Sequence, residues 1–337
     1  MYDYNKQILA YHDDRVTIKE GTRSKLREHR GANQNRLKDN LDKPIQWFQK
    51  QGSYAHRTMI QMVDNDYDID DGVVFKKEDL KTSQGNEMTA LQVRDMVLDA
   101  LKDPKFKKEP ERLKNCVRVY YNEGHHVDVP AFRVSEDVLN KEKIEIASSE
   151  WRESNPKQIN EWFESQVSSL KNERDGKGIQ FRRIIRLLKR FTRSRPSWNM
   201  PSGLILTILT DEKMPNYDRD DECFYYLLDG LKDRLKWNLR VFNSADLSEE
   251  LTKSAEDADM ITLRKKIDEA LSKLSILHEE DCTRGDARKA WDWVFKSDGF
   301  FDDFDSDSED DDPSPDSGIA KSTPKKAVEP RGADRFG

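Results

Sequence analysis

The sequence predicts an α+β chain in which a small sheet with helices precedes a helical half and an acidic tail. Strand-like runs occur before residue 150, namely YDIDDGVVF, CVRVYYNEG and HHVDVPAFRV. From about residue 155 the apolar residues recur with helical spacing. After Phe295 the chain is rich in Asp and poor in apolar residues, which predicts disorder. We therefore expect a core over 1–150 with an N-terminal helical extension, a helical domain over 151–297, and a disordered tail over 298–337 that ends in Gly.

The elements of the first half follow from polar and apolar spacing. Residues 15–43 are polar and compatible with a helix, and the apolar IQWFQKQGSY after them predicts an element that enters a tight turn. The segment EMTALQVRDMVLDALKD predicts a helix that packs on a small, mostly antiparallel sheet. In the second half, which we expect to be all-helical, helices are predicted at 156–171, 179–195, 201–209, 221–242, 257–280 and 286–295.

The charge of the chain is concentrated in its tail. The 337 residues include 58 Lys and Arg and 65 Asp and Glu, for a net charge of −7. Residues 298–337 carry 12 acidic and 5 basic side chains, so the remainder is neutral. The acidic balance therefore does not exclude a polyanionic ligand for the folded part.

Several classes of protein are excluded by the composition. No apolar run approaches the ~18 residues of a membrane span, and the N-terminus lacks the layout of a signal peptide, so we expect a cytoplasmic protein without a membrane partner. The three cysteines lie far apart and form no C-x-x-C pair. Neither a disulfide framework nor a cysteine-rich zinc site is predicted, and the cysteines are expected to be reduced packing residues.

Three acidic residues form the sharpest local pattern. Side chains alternate in a strand, so Asp68 and Asp70 share one face while Asp71 lies on the other. Two such carboxylates repel each other unless a cation lies between them, and Mg²⁺ prefers oxygen ligands. Asp128 is an isolated acid between Val127 and Val129 in a later strand, where it needs a partner. It would complete a two-metal site of the phosphoryl-transfer type.

A Gly-Ser turn precedes these acids. Gly52 lets the backbone approach a phosphate, and the hydroxyl and amide of Ser53 can bind its oxygens. For the acidic segment DNDYDIDDG, a solvated loop or a calcium-binding loop remains an alternative. Tyr54 beside the turn could stack on a base, and His56 is expected to be an exposed turn residue that could touch a phosphate. His125 and His126 occupy adjacent strand positions and should face opposite sides.

A basic amphipathic helix is predicted at residues 177–195, where eight of nineteen residues are Lys or Arg. One stripe consists of Arg182, Arg186, Lys189 and Arg193, and the adjoining apolar stripe comprises Phe181, Ile184, Ile185, Leu188 and Phe191. Such a helix could pack on the core and offer cations to a triphosphate. A solvated face paired with acids, a nucleic-acid-binding stripe and a calmodulin-target pattern are the alternatives.

The motifs GSYAHRTMI, YDIDDGVVF and VDVPAF resemble, in order and spacing, the polymerase-β-like nucleotidyltransferases. Within them the chain is similar to the bacterial cGAS/DncV-like group, the CD-NTases, over about residues 40–295. The resemblance implies a bilobal fold with a polymerase-β-like core of mixed sheet and helices plus a C-terminal helical domain. It also implies two Mg²⁺ ions, with Mn²⁺ as an alternative, held by Asp68, Asp70 and Asp128.

The resemblance further implies that ATP and GTP are joined into cyclic GMP-AMP, a second messenger of antiphage (CBASS) defence. The donor triphosphate would be bound by the Gly-Ser turn, Lys189 and Ser202, although Ser202 could equally be a helix N-cap. The expected partners are an E1/E2-like conjugation enzyme at Gly337 and, indirectly, a cyclic-nucleotide-activated effector; nucleic acid is not expected. A linear oligonucleotide or RNA-tailing nucleotidyltransferase and a catalytically inactive nucleotide-binding adaptor remain alternatives.

Overall fold

A computed structural model describes residues 1–62, 67–136, 142–173 and 177–302 of the chain, with the side chains of 171–173 and 177 excepted. Of the predicted disordered tail over 298–337, residues 303–337 lie outside the described residues. Residues 298–302 are described, and Phe300 and Phe301 are buried against Tyr11, so the prediction of disorder was wrong for these five residues. Within the described part, ten strands are formed: β1 Ile45–Gln51, β2 Asp68–Lys76, β3 Glu111–Arg112, β4 Val117–Tyr120, β5 His126–Val129, β6 Ala131–Glu136, β7 Glu142–Ala147, β8 Trp151–Glu153, β9 Phe242–Asn243 and β10 Asp246–Glu250.

The main sheet of the described residues is mixed, with β2 at its centre. Strand β1 pairs antiparallel along one edge of β2, and β5 and β6 pair parallel along the other edge in one constant register. Pro130 separates β5 from β6 because a proline has no N–H for the ladder, while its carbonyl accepts from Val73 N at 2.9 Å. The remaining pairs, β3–β4, β4–β5, β6–β7 and β7–β8, are antiparallel, which confirms the mostly antiparallel prediction.

Ten α-helices complete the described residues: α1 Asn5–Tyr11, α2 Glu20–Asn40, α3 Gly52–Ala55, α4 Ala90–Leu101, α5 Pro156–Glu173, α6 Lys177–Thr192, α7 Gly203–Lys213, α8 Asp220–Trp237, α9 Ala258–Leu274 and α10 Arg284–Phe295. A π-helical turn spans His12–Val16, and 3₁₀ turns span Lys77–Asp79 and Ser275–His278. The predicted α+β order is confirmed, since the sheet lies mainly in the first half and the helices dominate the second.

The second half is not all-helical, contrary to the prediction. Helix α8 ends at Trp237 rather than continuing to residue 242, and the chain then forms the two-stranded β9–β10 ribbon. Asn238, which has low helix propensity, takes an extended conformation at φ −150° directly after α8. The predicted helix over 257–280 likewise ends at Leu274 and passes into a 3₁₀ turn.

Two large hydrophobic clusters hold the described residues together. One lies between the sheet and helices α2 and α4, and the other lies among α6 to α10. The N-terminal helix α1 joins the helical cluster through buried Tyr4, Ile8 and Tyr11, and Tyr4 N donates to Asp221 Oδ2 at 2.8 Å. The next helix, α2, belongs to the sheet cluster through Leu26 and Leu37. The N-terminal extension therefore contacts both halves, and the boundaries at residues 150 and 297 stay predictions.

The helices and the cysteines of the described residues bear on membrane insertion and on disulfide bonding. None of the helices in the described residues is both long and apolar enough to cross a membrane. All three cysteines are free, and Cys116 and Cys223 are buried in packing positions, as predicted.

Candidate active site

The predicted carboxylate face is formed by two adjacent parallel strands. Asp70 of β2 lies directly opposite Asp128 of β5 in the register, and Asp68 lies two residues earlier on the same face of β2. Asp71 points to the other side of the sheet, where its carboxylate forms an ion pair of 2.8 Å with Arg30 of α2. The strand alternation therefore brings the three predicted acids together on one face and places Asp71 on the other.

The electrostatics of this face are unfavourable without a cation. Burial, followed by the charges of Asp68 and Asp128, raises the pKa of Asp70 to about 7. Asp128 is 7% exposed and accepts two hydrogen bonds of 2.7 Å each from the guanidinium of Arg118 on β4. His126 Nε2 lies 3.2 Å from Asp68 Oδ1. The ligand atoms of Asp68, His126 and Asp128 all lie within 4.8 Å of one another, so the donor set suits a divalent cation.

A cleft of about 660 Å³ opens in front of these acids. Residues of the Gly-Ser turn and β2, of the starts of α5 and α7, and of the C-terminal part of α6 contribute to its lining. The polar side chains that line it are Gln51, Ser53, His56, Thr58, Tyr67, Asp68, Asp70, Arg118, His126, Asn160, Lys189, Arg193, Ser202 and Thr207. A volume of this order accommodates a drug-sized or nucleotide-sized ligand.

Gly52 of the turn is fixed by two independent constraints. Its φ angle is +61°, in the left-handed region that side chains disfavour. A Cβ at this position would lie 2.7 Å from Oδ2 of Asp70. The glycine therefore lets the backbone of the turn pass directly beside the carboxylate face.

We expect Gly52→Ala to lower the rate of the reaction in this cleft about a hundredfold, because a displacement of about 1 Å in a catalytic group has an effect of this size. The substitution forces either the turn or Asp70 to move. Gly31→Ala is a matched control, since a Cβ on this residue of α2 meets nothing within 4 Å. The control should keep its rate and gain roughly 0.5–1 kcal/mol of stability from helix propensity. Equal rates in the two variants would contradict the expectation.

The basic stripe of α6 is formed as predicted, and its apolar neighbours are buried. Three of its cations bind successive backbone carbonyls of residues 56–58: Arg182 at 3.1 Å, Arg186 at 2.7 Å and Lys189 at 3.3 Å. Arg182 and Arg186 lie outside the lining of the cleft, whereas Lys189 and Arg193 are part of it. Three of the four cations therefore anchor the segment after the Gly-Ser turn, and two of these three, Arg182 and Arg186, do not line the cleft.

Lys189 and Ser202 meet at one wall of the cleft. Lys189 is 4% exposed, and its Nζ also donates to Thr58 Oγ1 at 3.0 Å. Burial, followed by the charges of Arg193 and Arg186, lowers the pKa of Lys189 to about 7. Ser202 is the N-cap of α7, with its hydroxyl accepting from the backbone N–H of residue 205 at 3.4 Å. The N-cap alternative is confirmed, and the side chain also lines the cleft.

Two residues of the turn lie elsewhere than predicted. The ring of Tyr54 packs in the sheet cluster, with the Arg30 guanidinium 6.0 Å from its centroid, and it is not part of the cleft lining. His56 is 4% exposed rather than exposed, because its ring stacks on Phe163 and pairs with Asn160 at 3.0 Å. The prediction of an exposed histidine was wrong, since sequence spacing does not reveal that α5 packs over the turn.

The structure adds polar residues that sequence reasoning missed. Arg118 lies between two valines on β4, and the strand register places it opposite Asp128. In the sequence, only this alternation of polar and apolar residues indicates that Arg118 belongs to the site. His126 faces the acids and His125 faces the other side of the sheet, as their adjacent positions predict. Thr58 has no sequence signal, because its contact with Lys189 joins residues 131 positions apart.

Comparisons with known proteins agree with this geometry. Residues 46–132 match the family described as Cyclic GMP-AMP synthase DncV-like, nucleotidyltransferase domain. The resemblance to cGAS/DncV-like nucleotidyltransferases is confirmed. The match begins in β1 and ends in β6, so it includes the Gly-Ser turn and all three acids. The nucleotidyltransferase class predicted from the sequence agrees with it.

The relatives extend the likeness beyond the matched domain. A cyclic GMP-AMP synthase of Escherichia albertii is 25% identical over 256 residues, which are 74% of this chain, and the chain spans about half (55%) of that relative's length. The CD-NTase CdnG of Bradyrhizobium diazoefficiens, solved with GTP, superposes with a TM-score of 0.69 at 15% identity over 90% of this chain and 98% of that one.

A mutant of the Vibrio cholerae di-nucleotide cyclase DncV, solved in complex with ATP and GTP, superposes with a TM-score of 0.57 at 18% identity. This alignment covers 74% of the present chain and 69% of the DncV chain. The fold is therefore that of the CD-NTases, in agreement with the predicted polymerase-β-like core and C-terminal helical domain.

Proposed function

We propose that this protein is a metal-dependent nucleotidyltransferase that joins ATP and GTP into a cyclic dinucleotide, with cyclic GMP-AMP as the product. The observation that carries the proposal is the convergence of Asp68, Asp70 and Asp128 on one face beside a nucleotide-sized cleft. The buried Lys189, which also lines that cleft, adds a cationic group suited to a triphosphate. The names of the relatives support the choice of product.

The donor set of the carboxylate face fits Mg²⁺, with Mn²⁺ as an alternative. Carboxylate oxygens dominate it. Burial and then the charges of Asp68 and Asp128 raise the pKa of Asp70, and a divalent cation would offset both effects by stabilising the ionised carboxylate. Asp68, Asp70 and Asp128 would hold two such ions, and the ions would neutralise phosphate charge and lower the pKa of the attacking ribose hydroxyl. Arg118 fixes the orientation of the Asp128 carboxylate through its paired hydrogen bonds.

The remaining residues of the cleft position the nucleotides. Gly52 and Ser53 would bind the donor phosphates through the turn backbone and the serine hydroxyl, together with Lys189 and Ser202 of the same cleft. Lys189 would take up a proton as it pairs with a phosphate, since its pKa lies near 7 in the nucleotide-free chain. Much of the rate enhancement would come from positioning and from charge stabilisation. Tyr54 lies outside the cleft lining, so base stacking on its ring would need a movement of the turn.

We further propose that the enzyme acts in the bacterial cytoplasm in CBASS defence, where its product would activate a downstream effector. Conjugation of Gly337 by an E1/E2-like enzyme remains part of this proposal. Mass spectrometry after co-expression with such an enzyme tests this. No adduct, or an adduct that survives Gly337→Glu, would exclude the conjugation.

The central experiment incubates the purified full chain with Mg²⁺ and four labelled nucleoside triphosphates, followed by phosphatase. A cyclic product is expected to resist phosphatase, and its mass and nuclease sensitivity identify the bases and the linkage. A linear product, or one that depends on added RNA, would favour the oligonucleotide or RNA-tailing alternative. Absence of any turnover with wild-type protein under all activating conditions would favour the inactive adaptor.

A further inference from the structure

A second cluster of metal-ligating side chains lies on the opposite face of the sheet from the acids. His29 of α2 and His125 of the β4–β5 turn approach each other with Nδ1 and Nε2 2.7 Å apart. The ligand atoms of His29, His125 and Glu123 all lie within 4.8 Å of one another. We propose that these three residues bind a transition-metal ion of the Zn²⁺ class.

The cluster is held in place by its surroundings. The ring of Tyr121 stacks on His29 at a centroid distance of 3.8 Å and an interplanar angle of 6°, and on His125 at 5.2 Å and 13°. Its hydroxyl lies within hydrogen-bond distance of two acceptors, Asn33 Oδ1 at 2.8 Å and the carbonyl oxygen of His29 at 3.0 Å, and donates its one proton to either. The turn itself is closed because Tyr121 N donates to the His125 carbonyl at 3.0 Å. Two imidazoles from distant segments are therefore positioned before any ion binds.

The donor types select the class of ion. Two imidazole nitrogens and one carboxylate form a ligand set used by zinc, with a fourth position left for water. Mg²⁺ and Ca²⁺ prefer oxygen ligands and are disfavoured here. Zn–N bonds of about 2.0–2.1 Å in a tetrahedral site separate the two nitrogens by about 3.3 Å. The rings therefore need to part by roughly 0.6 Å from their metal-free contact.

An ion can reach this cluster from solvent. The side chain of Glu123 is 38% exposed, and its carboxylate lies 3.7 Å from Lys25 Nζ. A solvent-exposed ion pair of this kind contributes little stability, so Lys25 gives way to a divalent cation at low cost. His29 is partly exposed on α2, whereas His125 is 3% exposed.

The site would link α2 to the catalytic strand. His125 immediately precedes β5, which carries His126 and Asp128 on the other face of the sheet. A bound ion would therefore fix the turn that leads into the carboxylate face without sharing a ligand with it. The inference stands on this geometry and does not depend on the proposed reaction.

Calorimetric titration of Zn²⁺ into the full chain tests the site, with excess Mg²⁺ present to occupy the carboxylate face. Wild-type protein and Asp70→Asn should each bind one Zn²⁺ ion with the same affinity and gain thermal stability. His29→Gln should bind more than about a hundredfold more weakly, since loss of partners outside the ligand shell already costs 10–100-fold. Glu123→Gln, at an exposed position that tolerates substitution, should bind at least about tenfold more weakly, because a neutral amide oxygen replaces a charged carboxylate ligand. His278→Gln is the matched control, because this histidine is exposed and remote.

Co²⁺ provides an independent readout. Its visible absorption in the wild-type chain should show the intense bands of a four-coordinate site with nitrogen ligands, and Glu123→Gln should change them. Unchanged Zn²⁺ affinity in both His29→Gln and Glu123→Gln would overturn the proposal. Loss of binding in Asp70→Asn would also overturn it, because the ion would then belong to the carboxylate face. If His29→Gln does not fold by circular dichroism, Glu123→Gln alone decides between these outcomes.

Discussion

Asp70→Asn is expected to lower the rate of nucleotidyl transfer about a thousandfold or more while the chain remains folded. Asp70 lies between Asp68 and Asp128 on the carboxylate face and beside Gly52 of the turn. Its replacement removes one of three charges that would hold the cations, and losing a single preorganised electrostatic group costs 10²–10³-fold in well-studied enzymes. Single-turnover rates at saturating nucleotide and Mg²⁺ measure the effect.

Asp71→Asn is the matched control on the same strand. Asp71 is 3% exposed on the opposite face, where it pairs with Arg30 at 2.8 Å and accepts from Gln34 at 2.7 Å. Removing its charge leaves Arg30 without its partner, so the free energy of unfolding should fall by about 3 kcal/mol. The folded fraction should keep its transfer rate. A control that loses as much rate as Asp70→Asn would refute the assignment of roles to the two faces.

The pH dependence of stability tests the raised pKa of Asp70. The pKa of Asp70, raised from 3.8 to about 7, means that the folded chain binds a proton that the unfolded chain releases between these values. Stability of the cation-free protein should therefore fall through this group as the pH rises from about 4 to about 7. Asp70→Asn removes this decrease, and Mg²⁺ should reduce it in the wild type. Urea unfolding at pH 5 and pH 8, with and without Mg²⁺, measures both effects.

Lys189→Met is expected to weaken nucleotide binding roughly 10- to 100-fold, because hydrogen bonds to charged groups contribute about 1.5–3 kcal/mol. Methionine keeps the length of the side chain and the packing of α6, but it removes the cation from the cleft. Equilibrium binding of a non-hydrolysable nucleoside triphosphate measures the loss. Lys232→Met on the exposed side of α8 is the matched control and should bind normally. Equal affinity in the two variants would remove Lys189 from the binding site.

The pH profile separates a charged role for Lys189 from a packing role. Its pKa is lowered from 10.5 to about 7, so nucleotide affinity should decline as the pH rises above about 7 in wild type and stay flatter in Lys189→Met. Between about pH 7 and pH 10.5 the unfolded chain holds a proton that the folded chain has lost. The nucleotide-free wild type should therefore gain stability through this group as the pH rises across that window, and the variant should not.

Local pattern was sufficient for the parts of the site that lie within one element. The period of two along a strand separates Asp68 and Asp70 from Asp71, and it separates His125 from His126. Helical spacing likewise predicts both stripes of α6, because it depends only on the geometry of a single helix. The same reasoning was insufficient for residues 238–250, where the predicted helix ends early and a short ribbon forms.

Alternation and turn chemistry are local properties of the chain, so the class of fold, the three acids and the Gly-Ser turn can be predicted from the residue order alone. Three-dimensional packing specifies which groups meet across long separations. It placed Asp128 beside Asp70 and put Arg118 on Asp128. Arg182 and Arg186 bind the backbone carbonyls of residues 56 and 57, and His29 contacts His125, 96 positions away. These contacts depend on strand register and helix packing, in which each partner lies on a different element, and no periodicity within one segment specifies them.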